Sequence, residues 1–288
     1  MKKIDMHTHT SASDGILSAT QLIEYAVKKG LHGLSITDHD TVESLAEAEL
    51  EAQGHQRLWF LPGVEFSTEI DETEIHILGY AIDYRTHELL SLLTELKNAR
   101  TNRAMRMIER LRKLNLDITY QQVQALSTEG VVGRVHIARA LMQQRIVYSI
   151  EEAFQKYLNR NKPAYVPRFK LHPVETIQLI QKLGGFSVVA HPGLMQNDKL
   201  IEILSQEGLN GLEAYYPSHT QEQVHRYKKM AIEFQLLVTG GSDFHAPPSA
   251  NIRNSDLGEC SVSLERIQLF LTEYQQNQNK NEWRKYCE

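Results

Sequence analysis

Two histidines separated by one residue are the first side chains in this sequence that could do chemistry. His7 and His9 follow a short apolar run, residues 4–6, which we predict to be a β-strand. Because side chains alternate between the two faces of a strand, both imidazoles point to the same side and can chelate one metal ion. A lone His-x-His pair is a weak signal, so its meaning depends on the residues that accompany it.

Asp14 follows in the same loop, and further histidines and carboxylates lie at or near the ends of other predicted strands or, for His76, within one: His39, Glu65, His76, His191, Asp243 and His245. The alternative interpretation, capping carboxylates and buried core histidines, must explain nine such residues at one end of one sheet. Mixed imidazole and carboxylate ligands favour Mn²⁺, Zn²⁺ or Fe²⁺. Nine ligands are too many for one ion, so we predict two or three divalent ions that share a bridging carboxylate. We expect Mn²⁺, with Zn²⁺, Fe²⁺ or Mg²⁺ as alternatives, and hydrolysis at phosphorus.

The elements that position these residues alternate between strands and helices. The predicted strands cover residues 4–6, 33–37, 58–64, 75–82, 186–190, 209–215 and 236–239. The first helix begins at Ser18 as its N-cap and ends at Gly30. Strands that alternate with helices indicate a parallel sheet with helical crossovers, in which active-site residues lie at the carboxyl ends of the strands.

The middle of the chain breaks this alternation. Residues 87–162 have helical patterns without a convincing strand, so we predict an all-helical insertion over the mouth of the barrel. The barrel is then discontinuous and comprises residues 1–86 and 163–275. Residues 276–288, which are polar and rich in Asn and Gln, are predicted to be a tail.

Bulk composition excludes several classes of protein. The chain has 288 residues, 41% of them hydrophobic, and no apolar run approaches the roughly 20 residues of a membrane helix. The N-terminus lacks the apolar core of a secretory signal, so we expect a soluble cytoplasmic protein without an obligate protein partner. Cys260 and Cys287 are too few for a disulfide framework. The net charge of −5 argues against broad binding to long nucleic acid, but it permits short anionic substrates.

The motifs as an ordered set resemble the polymerase and histidinol phosphatase (PHP) superfamily, from Met1 to about His245. The matching motifs are His7-Thr-His9, Thr-Asp38-His39, Gly-Val-Glu65, His76, Ala-His191-Pro and Gly-Ser-Asp243-Phe-His245. The resemblance implies an α/β fold, a distorted (β/α)7 TIM-like barrel with the helical insertion. It also implies three ion sites: the first with His7, His9, Glu65 and Asp243, the second with Glu65, His76 and His191, and the third with Asp14, His39 and His245.

The helical insertion and its Gly133-Arg134-x-His136 segment are similar to one branch of the superfamily, which includes RNase AM. That branch combines 3′,5′-nucleoside bisphosphate phosphatase activity with 5′ to 3′ exoribonuclease activity on short 5′-phosphorylated RNA. Arg134 follows a glycine-rich turn, where its guanidinium and free backbone N–H groups could receive a 5′-phosphate. A solvated surface arginine is the alternative, and His136 could simply pack at the helix start.

Two further residues are candidates for substrate binding. Lys170, like Arg168, lies where the insertion rejoins the barrel and could add positive charge over the site; the alternative is an ordinary surface lysine and arginine. His219 follows a predicted barrel strand and could bind phosphate or protonate the leaving oxygen. We therefore predict Asp14, Glu65 and His219 as catalytic residues, and Arg134, His136, Lys170 and His219 as substrate-binding residues.

The predicted reaction is in-line attack on phosphorus by a metal-activated hydroxide. It would release the 3′-phosphate of nucleoside 3′,5′-bisphosphates and remove 5′ nucleotides from short 5′-phosphorylated RNA. Three alternatives stay open: a phosphatase for a small metabolite such as histidinol phosphate, an amidohydrolase, and a non-catalytic, metal-stabilised accessory domain.

Overall fold

The computed structural model describes residues 2–126, 132–167, 169–195, 197–248 and 255–285, and the side chains up to residue 274. The chain forms two compact units. The barrel unit comprises Met1–Asp83 and Leu171–Glu288, and the helical unit comprises Tyr84–Lys170. That the helical unit covers the mouth of the barrel stays a prediction.

The described part of the chain contains eight β-strands and ten α-helices. The strands are β1 (Lys3–Asp5), β2 (Gly33–Ile36), β3 (Trp59–Ile70), β4 (Thr73–Tyr80), β5 (Phe186–Val189), β6 (Gly211–Tyr215), β7 (Leu237–Gly240) and β8 (Val262–Ser263). The helices are α1 (Ala19–Lys28), α2 (Leu45–Gln53), α3 (His87–Lys113), α4 (Tyr120–Gln124), α5 (Arg134–Gln143), α6 (Ile150–Ala153), α7 (Pro173–Lys182), α8 (Lys199–Gln206), α9 (Gln221–Glu233) and α10 (Leu264–Lys285).

The strands form one sheet that closes almost completely into a barrel, which confirms the predicted fold. Their order is β7-β6-β5-β4-β3-β2-β1-β8. Beyond the end of β1, the chain bonds to the segment that follows β7: the N–H of His9 donates to the carbonyl oxygen of Phe244 at 2.8 Å. The parallel bridge between Thr8 and Phe244 belongs to the same seam. The two ends of the predicted metal-binding sequence are therefore adjacent.

The direction of β4 was predicted wrongly. The strand runs antiparallel to both β3 and β5, whereas β1, β2 and β3 are parallel to one another, as are β5, β6 and β7. Only Asp71 and Glu72 separate β3 from β4, with φ angles of 46° and 66°. Two positive φ angles are typical of a tight two-residue hairpin, but Asp-Glu lacks the Asn-Gly or Asp-Gly signature of such turns. As a result, Glu65 lies in the middle of β3 rather than at its end.

The C-terminal part of the barrel unit also differs from the sequence-based expectation. The two-residue strand β8 pairs antiparallel with β1, and it is too short to produce a recognisable alternation of side chains. Helix α10 begins directly after it and extends into the segment 276–288 that was expected to be a tail.

Local sequence signals account for the first helix. Ser18 accepts a hydrogen bond from the N–H of Gln21, whose side chain bonds back to the N–H of Ser18, so the two form a capping box. Gly30, with a φ of +73°, follows the helix in the left-handed conformation that glycine adopts at little cost. The apolar face of α1, which includes Leu22 and Ile23, is fully buried.

The barrel interior and the helical unit each have an apolar core. The barrel core contains Ile4, Met6, Leu61, Leu78, Tyr80, Phe186, Val188 and Ala190. The helical unit has a core of its own, in which Met107, Leu111, Ile137 and Leu141 are buried. Within the described parts of the chain, no helix combines the length and apolar character needed to span a bilayer.

Candidate metal centre

A buried aspartate fixes the backbone at the end of β1. Asp5 is fully buried and accepts hydrogen bonds from the N–H groups of His7 (3.3 Å), Ser242 (2.9 Å) and Gly258 (2.8 Å). The carboxylate thus joins the first His-x-His segment to the segment that carries Asp243. One side chain therefore connects two segments that are more than 200 residues apart in the sequence.

Glu65 lies at the centre of the site. Its side chain is fully buried in the middle of β3, and both of its oxygens face histidines. Oε2 lies 3.3 Å from Nε2 of His7, 3.3 Å from Nε2 of His9 and 3.0 Å from Nδ1 of His39. Oε1 lies 2.8 Å from Nδ1 of His76 and 3.1 Å from Nε2 of His191. Five imidazoles therefore converge on one carboxylate.

Asp243 closes the site on the side of the barrel seam. Its Oδ1 lies 3.0 Å from Nε2 of His9 and 3.4 Å from Nε2 of His7, and its Oδ2 accepts a hydrogen bond from the hydroxyl of Tyr216 at 2.9 Å. The backbone of Asp243 has a φ of 50°, a conformation that non-glycine residues adopt only when their surroundings hold them there. Such backbone strain occurs preferentially at functional sites.

Asp14 forms a second focus of the cluster. Its Oδ1 lies 3.2 Å from Nε2 of His245 and 3.6 Å from Nδ1 of His9, and its Oδ2 lies 3.7 Å from Nε2 of His39. The Asp14 side chain is 51% exposed, so this focus faces solvent while Glu65 does not.

The donor set fits divalent metal ions. Several buried ring nitrogens and one carboxylate oxygen have no hydrogen-bond partner: Nε2 of His7, both ring nitrogens of His9, Nδ1 of His39 and Oε2 of Glu65. Unpaired buried polar atoms are costly unless a ligand satisfies them, and imidazole and carboxylate atoms are the usual ligands of Mn²⁺, Fe²⁺ and Zn²⁺. The structure thus brings together all nine residues that were predicted as ligands.

Candidate ligand groups within the described residues overlap. Their members are His7, His9 and Asp243; His7, Glu65 and His191; His39, Glu65 and His76; and His9, Asp14, His39 and His245. In each group the ligand atoms lie within 4.8 Å of one another. Because His7, His9, His39 and Glu65 each belong to two groups, the division of the nine residues among three ions stays a prediction.

The charges in the cluster keep its carboxylates ionised. Burial raises the pKa of Glu65, but His39, His76 and His7 outweigh burial and hold it well below its usual range. Burial likewise opposes the charged form of His76, yet Glu65 raises the pKa of His76 to about 9. Asp14 raises the pKa of His245 to about 9 in the same way. A metal ion would replace protons on these imidazoles, since ligands bind in their deprotonated forms.

Besides Asp5, two further buried carboxylates at the site were not predicted as functional residues. Glu213 on β6 contacts His7, and its position inside the apolar strand Gly-Leu-Glu-Ala-Tyr is the signal that could have revealed it. Asp38, noted only as part of a motif, accepts hydrogen bonds from the N–H and hydroxyl of Thr10 and from the hydroxyls of Ser13 and Ser44. Asp38 therefore fixes the loop that carries Asp14.

His219 lies beside the cluster with both ring nitrogens engaged. Its Nδ1 lies 3.0 Å from the carbonyl oxygen of Ala214, to which it donates, and its Nε2 accepts the N–H of Gly193 at 3.1 Å. Burial lowers the pKa of His219, which favours this neutral form. In this arrangement the ring connects the end of β6 to the loop after His191 and carries no proton on Nε2.

The other predicted substrate-binding residues belong to the helical unit. Arg134 is the first residue of α5, and its guanidinium carbon lies 5.2 Å from the centre of the Phe154 ring. Nδ1 of His136 accepts the N–H of Gly133 at 3.0 Å, so His136 caps the same helix. Lys170 is the last residue of the unit. Contact of these residues with substrate stays a prediction. Arg168 and the beginning of the glycine-rich turn before Arg134 lie outside the described residues.

Comparisons with known proteins agree with this geometry. The PHP domain model matches residues 5–167. A 5′-3′ exoribonuclease of Haemophilus influenzae is 35% identical over 252 residues, which cover 85% of this chain and 91% of the relative. A 3′,5′-nucleoside bisphosphate phosphatase of Chromobacterium violaceum is 31% identical over 86% of this chain and 88% of its own length. A protein from Bifidobacterium adolescentis, assigned as a metal-dependent phosphoesterase, has a crystal structure that superimposes on this chain with a TM-score of 0.79. The two sequences are 31% identical, and the match covers 93% of this chain and 95% of that one.

Proposed function

This chain belongs to the PHP domain family of phosphoester hydrolases, and on that premise we propose that it acts on nucleotides and short RNA. The proposed reactions are hydrolysis of the 3′-phosphate of nucleoside 3′,5′-bisphosphates and removal of 5′ nucleotides from short 5′-phosphorylated RNA. The observation that carries the proposal is the convergence of five imidazoles and two further carboxylates around Glu65, in a chain similar over most of its length to enzymes with these activities.

Nine side chains would hold the divalent ions: His7, His9, Asp14, His39, Glu65, His76, His191, Asp243 and His245. When bound, two or three ions would supply an activated water and neutralise charge on the phosphoryl group. We propose Mn²⁺, because mixed nitrogen and oxygen ligands suit it, with Zn²⁺, Fe²⁺ and Mg²⁺ as alternatives. Metal analysis of protein purified without added metal tests this assignment, and a stoichiometry below two ions per chain would contradict it.

The protein's own residues divide the remaining work. Glu65 and Asp243 place negative charge where the ions must be held, and the buried wall around Glu65 excludes water from that side. Asp14, on the exposed side of the cluster, is positioned to orient a water or to accept its proton. These roles make Asp14 and Glu65 the proposed catalytic residues.

His219 has two candidate roles. Protonation of the leaving oxygen would require its Nε2 to release the N–H of Gly193 and take up a proton. The contacts of the ring with Gly193 and Ala214 favour a positioning role, in which His219 holds the loop that follows His191. Replacement of His219 by Asn separates these roles. Loss of a general acid would slow nucleotide substrates but spare a p-nitrophenyl ester, which needs no proton on its leaving group, whereas loss of positioning would slow both equally.

Substrate class is tested by phosphate release from two compounds in Mn²⁺. We expect kcat/KM for adenosine 3′,5′-bisphosphate to exceed that for histidinol phosphate at least about 100-fold, because the ribose, base and second phosphate provide additional contacts. The Asp243→Asn variant is the control for contaminating phosphatases, and its kcat should fall by roughly 10³-fold. A preference for histidinol phosphate would support the metabolite phosphatase instead. Metal binding without hydrolysis of any phosphoester would support an accessory domain.

Recognition of the 5′-phosphate is proposed for Arg134, the first residue of α5. RNA oligomers with a 5′-phosphate or a 5′-hydroxyl should be cleaved at rates that differ about 10-fold or more, since a charge-assisted hydrogen bond contributes about 1.5–3 kcal/mol. Arg134→Ala should abolish that difference, whereas the exposed Arg139→Ala on the same helix should preserve it. An unchanged preference in Arg134→Ala would locate the phosphate pocket elsewhere.

A further inference from the structure

Glu213 is a buried carboxylate that belongs to none of the candidate ligand groups in the described residues. It lies on β6 with no exposed surface, between two histidines of the metal centre. Its Oε1 and Oε2 lie 3.1 Å and 3.2 Å from Nδ1 of His7, and Oε2 also accepts the backbone N–H of His191 at 2.7 Å. One side chain therefore contacts two predicted ligands.

The contact with His7 fixes which ring nitrogen faces the site. A carboxylate oxygen only accepts, so Nδ1 of His7 donates, and its proton points at Glu213. The opposite nitrogen, Nε2, lies 3.3 Å from Oε2 of Glu65 and 3.4 Å from Oδ1 of Asp243, and it is buried without a hydrogen-bond partner. Glu213 thus presents Nε2 of His7 to the centre, because a carboxylate on one ring nitrogen orients the other as a ligand.

The contact with His191 acts on the backbone. His191 has a φ of 27°, outside the regions that non-glycine residues commonly occupy, and such conformations persist only where their surroundings hold them. The 2.7 Å hydrogen bond from its N–H to Glu213 is a direct restraint at this residue. This restraint places Nε2 of His191 at 3.1 Å from Oε1 of Glu65.

We propose that Glu213 is a positioning residue for two metal ligands. It orients the ring of His7, whose Nε2 faces Oε2 of Glu65, and it restrains the backbone of His191, whose Nε2 faces Oε1 of Glu65. The inference rests on the proposed metal centre. Glu213 itself does not contact substrate in this proposal. Loss of this carboxylate weakens metal binding because both imidazoles lose their fixed orientation.

Zn²⁺ binding by the full-length protein tests the proposal. We expect the dissociation constant, measured by competition with a chelator, to rise about 10-fold in Glu213→Gln and up to about 100-fold in Glu213→Leu. In Gln an oxygen at the position of Oε2 can still accept from both donors, but the negative charge is lost and an NH₂ group, which cannot accept, replaces Oε1 against Nδ1 of His7. Leu satisfies neither donor. The matched control is Asp256→Asn, which alters a carboxylate that pairs with Lys29 and Tyr25 and should bind Zn²⁺ like the wild type.

Outcomes of this experiment separate the inference from the metal centre itself. If the wild-type protein binds Zn²⁺ and both Glu213 variants bind it equally well, the positioning role is refuted while the centre stands. If the wild-type protein binds no Zn²⁺, the centre and the inference both fail.

A measurement on the wild type covers the case in which the variants do not fold. Long-range ¹H–¹⁵N spectra of the Zn²⁺-loaded protein with ¹⁵N-labelled histidine report which ring nitrogen carries the proton. We expect Nδ1 of His7 to carry it, with a strongly deshielded proton, and His7→Asn to assign the signal. A proton on Nε2 of His7 would overturn the proposal.

Discussion

Replacement of Glu65 by Gln is the sharpest test of the metal centre, because this one substitution removes a charge and changes almost no volume. The carboxylate belongs to two of the four overlapping ligand groups, the one with His7 and His191 and the one with His39 and His76. Its two oxygens lie within 3.3 Å of five imidazole nitrogens. The two groups without Glu65 stay complete in the variant.

The expected effect follows from this division. We expect Glu65→Gln to lose at least one bound ion per chain and to keep the others. Charge neutralisation by one ion contributes several kcal/mol to a phosphoryl-transfer transition state, and a loss of about 4 kcal/mol lowers kcat by about 10³-fold. The assay combines metal content after dialysis with the rate of phosphate release from adenosine 3′,5′-bisphosphate.

Glu74→Gln is the matched control. Glu74 lies on β4 and its Oε1 is 3.6 Å from Nε2 of His76, but its side chain is 52% exposed. An exposed pair contributes at most about 1 kcal/mol, so activity should fall by less than about fivefold and the metal content should not change. A folded Glu65→Gln protein with full metal content and activity within tenfold of the wild type would refute the bridging role of Glu65.

Three other substitutions probe the surroundings of the centre and the barrel unit. Tyr216→Phe removes the hydrogen bond to Oδ2 of Asp243, and metal affinity measured by chelator competition should fall by roughly tenfold, since a bond to a charged group contributes about 1.5 kcal/mol or more. Gly241→Ala places a Cβ 2.3 Å from Cβ of His7, so the melting temperature and the metal content should both fall. Asp256→Asn breaks the ion pair with Lys29. Burial raises the pKa of Asp256, but its hydrogen bonds, the one from Lys29 foremost, outweigh burial and hold that pKa below its ordinary value. The wild type should therefore melt above this variant at neutral pH, and the difference should shrink as the pH falls below about 4. Unchanged metal affinity in Tyr216→Phe would contradict the first expectation, and unchanged metal content in Gly241→Ala would contradict the second. A difference in melting temperature that does not depend on pH would contradict the third.

The candidate ligands and the barrel were accessible from the sequence because local patterns encode them. Strands of four to eight residues followed by polar side chains indicate where a chain passes through a barrel, and a cap such as Ser18 marks where a helix begins. Most of the nine predicted ligands follow such strands, while Glu65 and His76 lie within β3 and β4, and the structure gathers all nine into one cluster. Here the rules of strand alternation and helix capping were sufficient.

The hairpin between β3 and β4 shows where local signals failed. The turn at Asp71 and Glu72 has the backbone of a tight hairpin without its usual residues, so the sequence favoured a parallel strand. Strand β8 failed for a different reason, since a two-residue strand has no detectable period. In both cases the pairing with neighbouring strands decided the outcome.

The sequence by itself determined which residues could bind metal and which elements carry them, since residue type and short-range periodicity are local properties. Only the tertiary structure decided which atoms meet. His7 and Glu213 are 206 residues apart, and no pattern within a strand could pair them. Closure of the barrel placed Glu213 against Nδ1 of His7 and Asp243 against its Nε2, because those contacts depend on the registers of strands that meet only in the folded chain.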